Sequence, residues 1–152
     1  MYPHIIGAGS DGRKLQLWMF ENRKIEFRLV VGSNMAWVTT ASTLELDQWY
    51  HIAATYSSET GRRIYINGDL EVSDAATGEI DAIDSDIYIG NNPFLAPREF
   101  SGFIDEVSIW NVAMDQGQIQ YHMNQELSGQ EQGLAGYWNF NEGEGPELTD
   151  LG

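Results

Sequence analysis

Residues 49–73 read WYHIAATYSSETGRRIYINGDLEVS. Three runs rich in β-branched and aromatic residues, WYHIAATY (49–56), RRIYIN (62–67) and GDLEVS (68–73), are separated by SSETG and by Asn67-Gly68. Such residues suit a pleated, half-buried surface. Asn-Gly is the dipeptide a two-residue type I′ turn prefers, because both central positions need positive φ. The stretch therefore predicts successive antiparallel hairpins.

The same pattern continues on both sides. In KIEFRLVV (24–31), Ile25, Phe27, Leu29 and Val31 fall on one face, and Lys24, Glu26 and Arg28 on the other. That is the alternation of a half-buried antiparallel strand. LQLWMF (15–20) precedes it across a short ENR turn, and MAWVTT (35–40) follows. DIYIG (86–90), FSGFIDEVSIWN (100–111) and GLAGYWNFN (133–141) read as three later strands. One helix is predicted after Asp115, which can cap it, with Ile119, Met123 and Leu127 at i, i+4 spacing and Ser128-Gly129 as a stop. The expected fold class is all-β, a two-sheet antiparallel jelly-roll sandwich with one short C-terminal helix.

The 152 residues are 42% hydrophobic and 12% aromatic, which fits a single packed domain spanning 1–152. No apolar run reaches the roughly 20 residues of a membrane helix, so no membrane insertion is expected. The opening MYPHIIGAGSDGRK lacks a basic start and apolar stretch, so it does not read as a signal peptide. The abrupt end at PELTDLG reads as a piece of something longer. With 23 acidic and 8 basic residues the formal charge is −15, which disfavours nucleic acid and anionic membranes as partners. It suits first a soluble secreted or salt-adapted protein, and second one that binds divalent cations. Cysteine is absent, excluding disulfides and thiolate chemistry. His4, His51 and His122 are far apart, without the spacing of zinc ligands.

Three segments carry more than periodicity: residues 49–70, then IYIGNNPFLAPREFSGFIDEVSIWNVAMDQGQI (87–119), then GLAGYWNFNEGEGPELTD (133–150). Together they resemble the laminin-G-like, concanavalin A-like jelly-roll family of lectins and glucanases, in its bacterial and pentraxin-related branch. The resemblance implies two antiparallel sheets packed face to face, and binding rather than catalysis. Such domains usually open with a YWxFxEGxG-like segment, whereas here that segment, within 133–152, closes the chain. It is expected either to take the opening strand's place or to begin a next copy.

Candidate site residues follow. On a regular strand Asp105 would share a face with Phe103, Val107 and Ile109. A buried unpaired carboxylate costs several kcal/mol. Glu142 would likewise be in phase with Trp138 and Phe140. In related jelly-roll glucanases, carboxylates at the matching positions share a structural calcium. The resemblance thus implies Ca²⁺ at Asp105 and Glu142, with the Gly143 carbonyl. The other reading is that Asp105 accepts backbone N–H bonds or turns outward at a bulge. In pentraxin-like relatives the loop after Ile-Gly faces the ligand. Here it offers Asn91, Asn92, Phe94 and Arg98 for recognition, though it has no carboxylate before Glu99. An ordinary surface loop is the competing reading.

Trp18, Trp37, Tyr65 and Tyr88 alternate with apolar residues, and an exposed ring among them could stack on a sugar; Trp37 joins the ligand-binding candidates. Trp49 and Trp110 are expected in the core. Glu79 and Asp81 in EIDAID (79–84) mimic a glycosidase pair. In the glucanases, however, the catalytic strand precedes the one matching WYHIAATY, and this segment follows it. No enzyme activity is therefore expected. The reading is a non-catalytic, carbohydrate-binding module of a secreted or surface bacterial protein, with a polysaccharide or glycan as partner. The alternative is a structural or adhesive module contacting neighbouring protein domains.

Overall fold

The structure, a computed structural model, describes residues 2–9, 11, 13–32, 34–83, 85–95, 97–143 and 147–152. The chain divides into two compact units, Met1–Ser101 and Gly102–Gly152.

Among the described residues the first unit holds eight strands: β1 (His4–Ala8), β2 (Leu15–Met19), β3 (Ile25–Leu29), β4 (Trp37–Thr39), β5 (Ile52–Ser57), β6 (Gly61–Ile66), β7 (Asp69–Ser73) and β8 (Ile87–Ile89). They form an antiparallel sheet in the order β4-β3-β2-β1-β8 and a second in the order β5-β6-β7. Alternation sends Leu17, Ile25, Phe27, Leu29 and Val38 from the larger sheet into one core with Ile64 of the smaller. Ile52, Ala54, Ile66 and Val72 pack against that core. This is the sandwich the sequence pattern predicts. Asn67 and Gly68 take φ of 52° and 81°, both positive as a type I′ turn requires. Gly61 has φ 71°, and a Cβ there would lie 2.1 Å from the Asp74 carbonyl oxygen, so only glycine fits.

That close approach serves an ion pair whose arginine is buried and whose aspartate is partly exposed. Arg62 is 2% exposed. Its Nε and Nη2 donate to Asp74 Oδ2, each at 2.8 Å. Nη1 donates to the carbonyls of Leu29, at 3.1 Å, and Ala36. One guanidinium thus ties β6 to β3 in the other sheet and to the approach of β4.

EIDAID has no place in a named strand. Its described residues include Ile80, in an isolated bridge to Val31, and an exposed Glu79; Asp84 lies outside the described residues. Asp81 reaches Lys14 at 3.8 Å, a partly exposed pair of the kind that adds little stability. β1 was not among the strands expected from alternation, because HIIGA is short, apolar and broken by Gly7. Trp49, expected in the core, is 67% exposed and precedes β5.

The second unit pairs β9 (Val107–Trp110) with β10 (Leu134–Trp138) antiparallel and carries α1 (Gln116–His122). Asp115 caps the helix in a reciprocal capping box with Gln118. The helix stops at Met123, a turn before the pattern suggested. Trp110 is half-buried against His122, ring centroids 5.0 Å apart. Both flanking strands are shorter than expected, for one physical reason. Glu106 and Phe140 adopt left-handed φ of 53° and 54°, which breaks the two-residue alternation. Asp105 is consequently out of phase with Val107, and Glu142 with Trp138.

Candidate functional site

The face of the five-stranded sheet opposite the core carries a groove of about 320 Å³. Strand register lays that face out in rows. Trp37, Arg28, Gln16, Gly7 and Tyr88 lie side by side across β4, β3, β2, β1 and β8. Thr39, Glu26, Trp18 and His4 form the next row. Tyr2, Phe20 and Arg13 line the groove from neighbouring turns, and Leu95 and Arg98 from the loop after β8. That loop is pinned to the sheet by His4 N–H donating to the Arg98 carbonyl at 2.9 Å.

Aromatic and cationic groups interleave here. The Arg28 guanidinium lies between two tryptophans, 5.2 Å from the Trp18 ring centroid and 5.1 Å from that of Trp37. Arg98 sits 5.0 Å over Tyr2 and donates through Nε to the Leu95 carbonyl. Such cation–π contacts hold a guanidinium in place while leaving its edge N–H groups free. Trp18 is 7% exposed and walls the groove, while Trp37 is 52% exposed at its rim. The Trp18 indole N–H and Arg28 Nε–H are buried without a hydrogen-bond partner among the described residues.

Beneath them is a polar floor. Glu26, 3% exposed, accepts the Thr39 hydroxyl at 2.9 Å. Burial raises its carboxyl above the usual range, against the Thr39 bond and the Arg28 charge. His4 is also buried; its Nδ1 donates to the Tyr2 carbonyl at 3.1 Å, so Nε2 accepts from the Gln16 amide at 3.1 Å. Burial first, then the Arg98 charge, push the imidazole down to about 4, although the Tyr2 bond favours the cation. The unfolded chain takes up that proton near 6.5. The stability due to neutral His4 is therefore whole above pH 6.5 and is lost as pH falls toward 4. Wild type should lose about 2 kcal/mol more than His4→Gln between pH 7 and pH 5, read by denaturant melts. His51 is also lowered by burial and shifts the balance in the same direction, so only the difference between the two proteins reports on His4.

Of the expected ligand residues, the structure brings Trp37 and Arg98 into one groove. It does not bring Asn91, Asn92 or Phe94 there. Asn91 Oδ1 accepts the Asn92 N–H at 2.6 Å. Asn92 is fully buried, accepts the Phe94 N–H, and packs under β1, where a Cβ on Gly7 would lie 3.1 Å from its amide. These amides shape the loop. Phe94 meets Tyr88 edge-on at 5.8 Å outside the groove lining. Arg28, Gln16, Glu26 and His4 also line the groove but were not among the expected ligand residues. The polar face of KIEFRLVV was the available signal, but only register shows what stands beside it.

The expected calcium donors lie elsewhere, in the second unit. Asp105 is exposed rather than set in an apolar face, and its Oδ1 accepts the Glu106 N–H at 3.0 Å. Glu142 is exposed and its Oε1 accepts the Thr149 N–H at 2.8 Å. Calcium takes six to eight oxygens. Among the described residues no three acidic or histidine side chains gather where they could hold a metal ion. Both carboxylates are exposed and each already accepts a backbone N–H, so neither needs a cation to offset burial.

Comparison with known proteins places this geometry. Residues 2–120 match the Laminin_G_3 family, described as the concanavalin A-like lectin/glucanases superfamily. No curated protein matches the chain. Among solved structures, a "putative carbohydrate binding protein" from Bacteroides ovatus superposes with a TM-score of 0.82 at 24% identity, over 98% of this chain. The chain spans 44% of that protein's length. An S-layer domain-containing protein from Clostridium thermocellum, residues 221–444, gives a TM-score of 0.46 at 22% identity, over 80% of this chain and 62% of that one. Among the described residues no helix is long and apolar enough to cross a membrane.

Proposed function

The chain belongs to the concanavalin A-like lectin/glucanase superfamily, and on that premise we propose that it is a non-catalytic carbohydrate-binding module of a secreted or cell-surface protein. The binding surface is the groove across β1 to β4. The observation that carries this reading is the exposed Trp37 ring at the rim of a groove floored by buried hydrogen-bonding groups. Sugar binding needs an aromatic face against the ring and fixed polar groups for its hydroxyls. Trp37 and Trp18 supply the first; Gln16, Glu26, Arg28 and Arg98 supply the second. The groove's volume lies at the small end of ligand sites, about 300–1,000 Å³, which suits one or two sugar units of a longer chain.

Hydrolysis is not part of the reading. A glycosidase of the usual kind needs two carboxyl groups across the scissile bond. Among the described residues, Glu26 is the only carboxylate lining the groove. A glycan array is the direct test. Binding of at least one glycan class, without turnover, supports the proposal; cleavage of any polysaccharide, or silence across the array, contradicts it.

The calcium expectation at Asp105, Glu142 and the Gly143 carbonyl has its own test. The exposed, hydrogen-bonded carboxylates argue that excess calcium or a chelator should move the melting temperature by less than about 1 °C. A calcium-dependent rise of several degrees would restore the site.

A further inference from the structure

We infer that the groove's ligand is an acidic sugar, whose carboxylate or sulfate is held by the Arg28 guanidinium with Arg98 and Arg13. The inference rests on the carbohydrate reading above and narrows it to a substrate class.

It starts from where the few cations go. The chain has 8 lysines and arginines against 23 acidic residues. Arg62, Lys14 and Arg23 are spent in ion pairs with Asp74, Asp81 and Glu45. Arg13, Arg28 and Arg98 all line one groove. None of the three makes an ion pair with a described carboxylate, although acids outnumber bases nearly threefold. Glu26 stands two residues from Arg28 on β3, yet its carboxylate takes the Thr39 hydroxyl instead. Asp11 also lies within electrostatic reach of Arg28, and its Oδ1 accepts the Arg13 backbone N–H.

Arg28 is the most telling. Its guanidinium carbon stands over two tryptophan rings, and its buried Nε–H has no hydrogen-bond partner among the described residues. The terminal Nη groups of such a planar donor match the paired oxygens of a carboxylate or sulfate. A neutral sugar would leave those charged donors poorly used. Arg98, ordered over Tyr2, offers its remaining N–H groups to the same space. The overall charge of −15 does not oppose this arrangement strongly. Distant surface acids are screened beyond about 8 Å at physiological salt, so the nearby arginines dominate inside the groove. The tryptophans would then stack on the ring while the arginines grip the anion.

The test compares three sets of oligosaccharides of equal length: neutral, uronate-bearing and sulfated, titrated into wild type, Arg28→Gln and Arg98→Gln. Binding by uronates alone assigns the carboxylate, and binding by sulfated sugars alone assigns the sulfate. In either case the acidic set should bind about tenfold or more tighter than the neutral one. Its affinity should fall as salt rises. Arg28→Gln should lose about tenfold or more of that affinity; Arg98→Gln serves where Arg28→Gln does not fold. Neutral sugars binding as well as acidic ones, or acidic binding indifferent to both variants, overturns the inference and leaves the carbohydrate module standing. No binding in any set overturns the module reading itself.

Discussion

Replacing Arg62 by alanine should lower the melting temperature by roughly 10 °C. The side chain is buried, and four of its contacts cross to other segments: two to Asp74, one to the Leu29 carbonyl and one to the Ala36 carbonyl. Breaking a buried pair costs about 3–5 kcal/mol; Asp74 is partly exposed, so the lower end applies, about 3 kcal/mol with the two carbonyls left unpaired. For a chain of this length each kcal/mol is worth about 2–4 °C. Asp74 keeps its backbone bonds from Arg62 and Ala76 and would be left facing a void. Asp74→Asn should cost less, since the amide oxygen can still accept those two N–H groups. Burial pushes the Asp74 carboxyl up, but the backbone bonds and the Arg62 charge outweigh it and hold it below the usual carboxylate range. The pair's stabilisation is then present at neutral pH, above the unfolded value of 3.8, and is lost only as pH falls through the lower folded value. Thermal melts of the single and double variants read these terms. A shift of under about 2 °C for Arg62→Ala would mean that the two sheets do not depend on this tie.

Trp37→Ala should weaken glycan binding by about thirtyfold or more while leaving the fold intact. A buried aromatic anchor in an interface is commonly worth about 2 kcal/mol or more, which is that factor in affinity. Trp37 is half-exposed at the end of a short edge strand, so truncation removes little from the core. It also removes one wall of the Arg28 sandwich, so any acidic ligand loses both a stacking surface and a fixed guanidinium. Trp18→Ala would be a poorer probe, because that ring is buried and its loss damages the sheet as well. Trp49→Ala is the matched control: equally exposed or more so, and outside the groove lining. Calorimetric titration of the three proteins checks this. Equal affinity in wild type and Trp37→Ala would remove the groove from the account.

What the sequence made legible follows from which interactions are local. The β5–β6–β7 hairpins could be read because alternation and the Asn67-Gly68 turn are properties of neighbouring residues. The same holds for α1, whose Asp115 cap is visible three residues from its partner Gln118. Asp105 faces solvent, the second of its two readings, and Glu142 is exposed too; nothing local announces the left-handed φ at Glu106 or Phe140. A single such residue resets the face on which every later side chain falls. The groove was half legible. Trp37 and Arg98 carry recognisable chemistry wherever they stand. That Arg28 lies between Trp18 and Trp37, however, depends on the pairing of three strands, and that the loop of Arg98 closes over β1 depends on a strand the pattern did not announce. The buried His4–Gln16 contact has the same origin, since twelve residues separate the two in sequence.

The five tryptophans, at 18, 37, 49, 110 and 138, give the central claim its most direct test. Their indole N–H signals can be followed by NMR during titration with a glycan that binds. If the sheet groove is the binding site, the Trp18 and Trp37 signals should shift and saturate together, with Trp49, Trp110 and Trp138 unmoved. Shifts confined to Trp49, Trp110 or Trp138 would place the sugar elsewhere on the molecule and contradict the account.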